Sequence, residues 1–110
     1  MPAYYQTEDL AKLSDVSLGA PGLWEKFQAW YGEVFEEGAL SVREKALIAL
    51  AVANVLQCPY CIDVYTRTSL ENGSSLEQMT EALQVAAALR AGATLAHGVQ
   101  MKAIADKLSM

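Results

Sequence analysis

Ser41-Val42-Arg43-Glu44 is followed at once by an apolar stretch over residues 46–56, and together these constrain the fold more than anything else in the chain. A Ser and a Glu three residues apart form a capping box, in which each side chain satisfies a backbone amide at the other's end. The signal opens a helix running to about Leu56. From Ala46 to Ala53 this helix is apolar on every side, which predicts a central, fully buried element. Its alanines allow neighbouring helices to come close. At eleven residues the stretch is too short to span a bilayer, which takes roughly 20.

The rest of the sequence also reads as helix. Thr7 can cap a short helix over Glu8 to Val16, closed by Gly19. Pro21 suits the first turn of a second helix, which carries Leu23, Trp24, Phe27, Trp30, Tyr31, Val34 and Phe35 at helical spacing and ends near Gly38. That stripe, tryptophans included, fits core or subunit contact without invoking a ligand. A fourth helix starts at the cysteines and stops at Asn72-Gly73. Ser74 or Ser75 caps a fifth, which Gly92 breaks, and a sixth runs from Thr94 to Leu108. No strand alternation and no linker interrupts the series. The expectation is a single all-α domain of about six helices over residues 1–110.

Composition bears on partners. The chain is 53% hydrophobic and 19% charged, an apolar excess that is hard to hide in 110 residues, so some of it should be buried against other subunits. A net charge of -5 opposes binding to nucleic acid, which needs clustered cations, and to an anionic membrane. No signal peptide is visible, so a cytoplasmic location is expected. In that reducing compartment two close cysteines suggest redox work or metal binding rather than a structural staple.

Those cysteines are Cys58-Pro59-Tyr60-Cys61. Three residues apart at a helix start, both sulfurs share one face, and the helix terminus favours thiolate over thiol. Only the thiolate attacks a peroxide or a disulfide. Dipole reasoning favours Cys58, nearer the terminus. A zinc site needs two more ligands, whereas the chain has one histidine, His97, and no third cysteine, so no metal and no cofactor is expected. Two cysteines packed as small hydrophobes are the bland alternative.

The stretch from Arg43 through Ala53, followed by Gln57-Cys58-Pro59-Tyr60-Cys61-Ile62-Asp63, resembles the alkylhydroperoxidase AhpD / carboxymuconolactone decarboxylase family, with similarity from about Leu23 to Leu89. Within it, Glu37-Gly38-Ala39-Leu40 and His97-Gly98-Val99-Gln100-Met101 resemble a short peroxidase-like branch associated with arsenosugar biosynthesis. The resemblance implies a helical homo-oligomer, trimer or hexamer, with thiol-dependent peroxidase activity. It also implies that Cys61 attacks a hydroperoxide, that Cys58 resolves the sulfenic acid to a disulfide, and that a dithiol such as a lipoyl group resets the pair.

The family's proton relay is a Glu twelve residues before the first cysteine and a His four after the second. Here those positions are Ala46 and Tyr65. Tyr65, one turn beyond Cys61, can reach a thiolate but is a poor base at neutral pH. Glu44 lies about 200° round the helix from position 46 and already has a capping role. His97 titrates near neutrality, and folding or assembly can bring it to the thiols. Asp63 would oppose thiolate formation, and Tyr60 can shape access. The candidate site is therefore Cys61, Cys58, Tyr65, His97 and Glu44. It serves a peroxidase or thiol-disulfide oxidoreductase acting on a hydroperoxide or disulfide. The competing readings are a non-catalytic oligomeric protein whose dithiol chelates a trivalent arsenical, and the family's decarboxylase chemistry, from which the dithiol points away.

Overall fold

A computed structural model describes residues 6–109. A 3-10 segment, Thr7–Ser17, precedes four α-helices: α1 Pro21–Val34, α2 Val42–Leu56, α3 Pro59–Glu71 and α4 Leu76–Leu108. The all-α expectation holds. The capping box at Ser41 forms in full, Ser41 Oγ accepting the Glu44 N–H at 3.1 Å and Glu44 Oε1 accepting the Ser41 N–H at 2.9 Å. An equivalent box joins Ser75 and Gln78 at the start of α4. Pro21 and Pro59 stand in the first turns of α1 and α3, and Gly73, at φ 88, turns the chain out of α3. The side chain of Thr7, the expected first cap, lies outside the described ones.

Two expectations about helices are corrected. Gly92 does not break the last helix: α4 is one element of 33 residues that runs through both Gly92 and Gly98. A glycine inside a helix costs about 1 kcal/mol relative to Ala. The surrounding Ala and Leu, strong helix formers, carry the helix across that cost. There are thus four α-helices and one 3-10 segment among the described residues, not six helices.

The second correction concerns α2. Only one stripe of it is buried, Ala46, Leu50 and Ala53, against α3 and α4, while Ile48 is 50% and Val52 49% exposed. Two neighbouring helices cover one side of a cylinder and leave the other open. The core is correspondingly small. Leu50, Tyr65 and Met79 meet at its centre, one from each of α2, α3 and α4, with Phe35, Leu47, Ala49 and Cys61 packed around them.

α1 contributes no buried residue. Phe27 and Tyr31 of α1 and Phe35 just after it form an aromatic ladder that ends on Tyr65 of α3. α4 runs beside α2 as far as Arg90, whose guanidinium donates to the Val55 carbonyl at 2.6 Å. Beyond it, residues 91–108 are exposed apart from the partly covered Gly98, an overhang of about 27 Å at 1.5 Å per residue. The radius of gyration is 18.9 Å, against about 13 Å for a compact domain of this length.

Candidate functional site

The dithiol is positioned by two backbone devices. Gln57 ends α2 in the left-handed conformation, φ 56, which reverses the chain immediately before Cys58. Cys58 is then the N-cap of α3: its Sγ accepts the N–H of Cys61 at 3.3 Å, as a Ser or Asp side chain does at other helix starts. Pro59 fills the first helical position, where no N–H is needed. Both cysteines are free and half-buried, and their sulfurs lie 2.7 Å apart, close enough to share a proton or to close a disulfide with little movement.

Burial, first, then the hydrogen bond with Cys58 and its charge, push the Cys61 thiol up to about 11; its own backbone opposes this only in part. Cys61 therefore rests protonated at neutral pH. It is nevertheless the sulfur that faces a substrate-sized space, an open apolar pocket of about 490 Å³ between the end of α1, the exposed side of α2 and the start of α3. Tyr31, Ile48, Val52, Cys61 and Tyr65 are among its walls.

Of the five candidate residues, the fold gathers three. Tyr65 joins the two cysteines: it is buried at 7% exposure, stacks on Phe35 with ring centres 5.1 Å apart, and its hydroxyl shares a hydrogen bond with that of Tyr31. Burial, first, then the Tyr31 hydroxyl and the nearby Cys61 all push its pKa above the usual phenol value, so Tyr65 stays a neutral phenol. Glu44 is not brought in. It is exposed at the opposite end of α2, its carboxyl held below the usual range by the hydrogen bonds to the Ser41 backbone and side chain, and it does not line the pocket. His97 is on the exposed overhang of α4, with Nδ1 2.9 Å from the Ala93 carbonyl oxygen, and no α4 residue lines the pocket.

Neighbouring residues take structural parts. Tyr60 donates to Asp9 Oδ2 at 3.1 Å and ties the 3-10 segment to α3, while Asp63 pairs with Arg67 one turn on, at 2.6 Å. Among the described residues no three of His, Cys, Asp and Glu gather as a metal site would require. No helix of the described chain is long and apolar enough to cross a membrane.

Sequence reasoning missed two pocket residues. Tyr31 read as one position in an aromatic stripe, and only the docking of α1 on Tyr65 reveals it. Lys45 also lines the pocket, its Nζ donating to the carbonyls of Val34 at 2.8 Å and Glu36 at 2.6 Å, so that it caps the end of α1.

The family model for carboxymuconolactone decarboxylases matches residues 21–101, which spans the pocket, the dithiol and most of α4. The chain belongs to the carboxymuconolactone decarboxylase family. A Paracoccus denitrificans member described as uncharacterized protein 4 in the cox locus is 41% identical over 98 residues, 89% of this chain and 88% of its own. A crystal structure of a Methanobacterium thermoautotrophicum protein superposes with a TM-score of 0.71 at 31% identity, covering 76% of this chain and 93% of that one. These matches speak to the family and not to the arsenosugar-associated branch within it.

Proposed function

We propose that this family member is a thiol-disulfide oxidoreductase of the peroxidase type, with Cys61 as attacking sulfur and Cys58 as resolving sulfur. The observation that carries this is the placement of the pair: two free sulfurs 2.7 Å apart, one capping a helix and the other forming part of an apolar pocket. Loss of the Cys61 proton to solvent gives a thiolate toward which the Cys58 thiol donates across 2.7 Å, and this thiolate attacks the terminal oxygen of a hydroperoxide, ROOH. The O–O bond breaks, Cys61 becomes a sulfenic acid, and the alkoxide takes up a proton to leave as ROH. The Cys58 thiol then attacks the sulfenic sulfur and water leaves, giving the disulfide. A dithiol of the lipoyl class returns two electrons and two protons. Tyr65, which lines the pocket with Cys61 and stands at the position of the relay's His, is the side chain proposed to donate to the alkoxide.

Acid-base decarboxylation fits less well. It wants a positioned imidazole or carboxylate, and neither is found among the residues lining the pocket. Free-thiol titration before and after one equivalent of cumene hydroperoxide tests the proposal. Two thiols should be lost in wild type, and the one thiol that Cys61→Ser retains should persist. If the variant consumes peroxide as fast as wild type, Cys61 is not the nucleophile.

The scarcity of proton acceptors in the pocket favours a second reading, a dithiol that binds rather than turns over. Two thiolates chelate a trivalent arsenical. Calorimetry with arsenite separates the cases, because a chelate requires both cysteines and is lost in either single serine variant.

The exposed surface supports a homo-oligomer as the working form. At 8532 Å² it exceeds the roughly 6,000 Å² expected of a compact monomer of 11.9 kDa. The difference is the size of a permanent subunit interface. Light scattering should return a multiple of 11.9 kDa, and Leu95→Glu or Val99→Glu, on the apolar overhang, should lower it. A monomeric wild type contradicts this.

A further inference from the structure

Within the pocket beside Cys61, three lining residues other than the cysteine itself carry a polar side chain: Tyr31, Lys45 and Tyr65. The Lys45 ammonium is engaged by the carbonyls of Val34 and Glu36 at the end of α1. The donors left for an oxygen arriving at Cys61 are therefore the two phenols, and they are hydrogen-bonded to each other. They differ in exposure. Tyr65 is buried among Phe35, Leu50 and Met79, whereas Tyr31 is 39% exposed on α1 and meets solvent.

We infer that Tyr31 is a positioning residue for the peroxide step, which orients the Tyr65 hydroxyl and resupplies it with a proton from water. The inference rests on the reading of Cys61 as the peroxide-attacking sulfur. As the Cys61 thiolate takes the terminal oxygen of ROOH, the departing alkoxide receives the Tyr65 proton. Tyr65 receives the Tyr31 proton through the hydrogen bond they share, and Tyr31 is reprotonated by water. Overall, thiolate, hydroperoxide and one solvent proton give sulfenic acid and alcohol. A neutral phenol whose ionisation is opposed by burial serves here because the proton is passed on as it is lost, so no phenolate accumulates. The wire joins α1 to α3, two elements far apart in sequence.

The test compares two reactions of Cys61 in the full chain, with alkylation read at the Cys61 peptide by mass spectrometry. Oxidation by cumene hydroperoxide needs a proton for its leaving group; alkylation by iodoacetamide, which expels iodide, does not. A general acid is worth about 10²–10⁴ in rate, and a residue that only refills one should be worth less, about tenfold. Tyr31→Phe is expected to slow peroxide oxidation by about tenfold, to alter its solvent deuterium isotope effect, and to leave alkylation at the wild-type rate. Phe35→Leu, which removes the ring stacked on Tyr65 but keeps both hydroxyls, should change the two reactions in proportion. Peroxide oxidation of Tyr31→Phe at the wild-type rate overturns the inference, as does an equal loss in both reactions. If wild type itself fails to react with peroxide, the peroxidase reading falls and the inference with it, an outcome told apart by the wild-type control alone.

Discussion

The sulfur of Cys58 accepts the backbone N–H of Cys61 at 3.3 Å, so one member of the dithiol caps the helix that carries the other. The two thiols are chemically unequal in consequence. Cys58 has the position a capping acceptor takes, where amide and helix dipole favour negative charge, while Cys61 is held protonated. In reduced protein at pH 8, limiting iodoacetamide should label Cys58 before Cys61, as peptide mass spectrometry would reveal. Cys58→Ser keeps an N-cap acceptor but removes the neighbouring thiol, and it should lower the Cys61 value from about 11. Labelling in the reverse order would show that the cap does not govern which sulfur ionises.

The raised Cys61 value also enters folding stability. An unfolded chain ionises this thiol at its ordinary value of 9.0, whereas the folded chain resists until about 11. The unfolded state therefore loses its proton first as pH rises. The contribution of Cys61 is fully present below pH 9 and is lost as pH climbs toward 11. Tyr65 acts in the same direction at higher pH. Denaturant midpoints of reduced protein should fall over that window, and the fall should be shallower in Cys61→Ser. Equal slopes would mean that the thiol is not desolvated.

At the other end of α2, Ser41→Ala removes a half of the capping box and should cost about 1 kcal/mol of stability. Glu44→Gln, which can still accept the Ser41 N–H, should cost less. Neither substitution should change the rate at which peroxide oxidises the dithiol, since neither residue lines the pocket. A rate change in Glu44→Gln with the fold intact would restore Glu44 to the site.

Gly92→Ala tests the continuity of α4. No side chain or foreign backbone lies within 4 Å of a Cβ added there. Within one chain the substitution should stabilise by about 1 kcal/mol, read as a rise in thermal midpoint. Destabilisation would mean that a second subunit packs against the glycine, which would place an interface along this part of α4.

Local signals carried much of the architecture. Ser41 with Glu44, Ser75 with Gln78, Pro21, Pro59 and Gly73 act through their own backbone neighbours, so their meaning survives without knowledge of the rest of the chain. The same is true of the Cys58–Cys61 spacing, because a helix turn alone brings residues three apart together. Gly92 misled because a lone glycine fixes a cost and not a conformation, and long-range packing and good neighbours decide whether the helix continues. Ile48 and Val52 misled for a related reason. An apolar residue states that burial is favourable but not what is available to bury it, and in a single chain only α3 and α4 are at hand.

The dithiol remains the centre of the molecule, and it was legible from the sequence because its geometry is local. What the sequence could not decide is what surrounds it. Tyr31 and Tyr65 are 34 positions apart, and no periodicity relates them; they meet because the aromatic ladder of α1 ends against α3. Glu44 and His97 were chemically eligible, and within one chain neither lines the pocket, the first being held in its cap and the second on the overhang of α4. Spacing within one helix follows from 3.6 residues per turn, whereas contact between helices depends on which apolar faces find each other, and only the tertiary structure decides that.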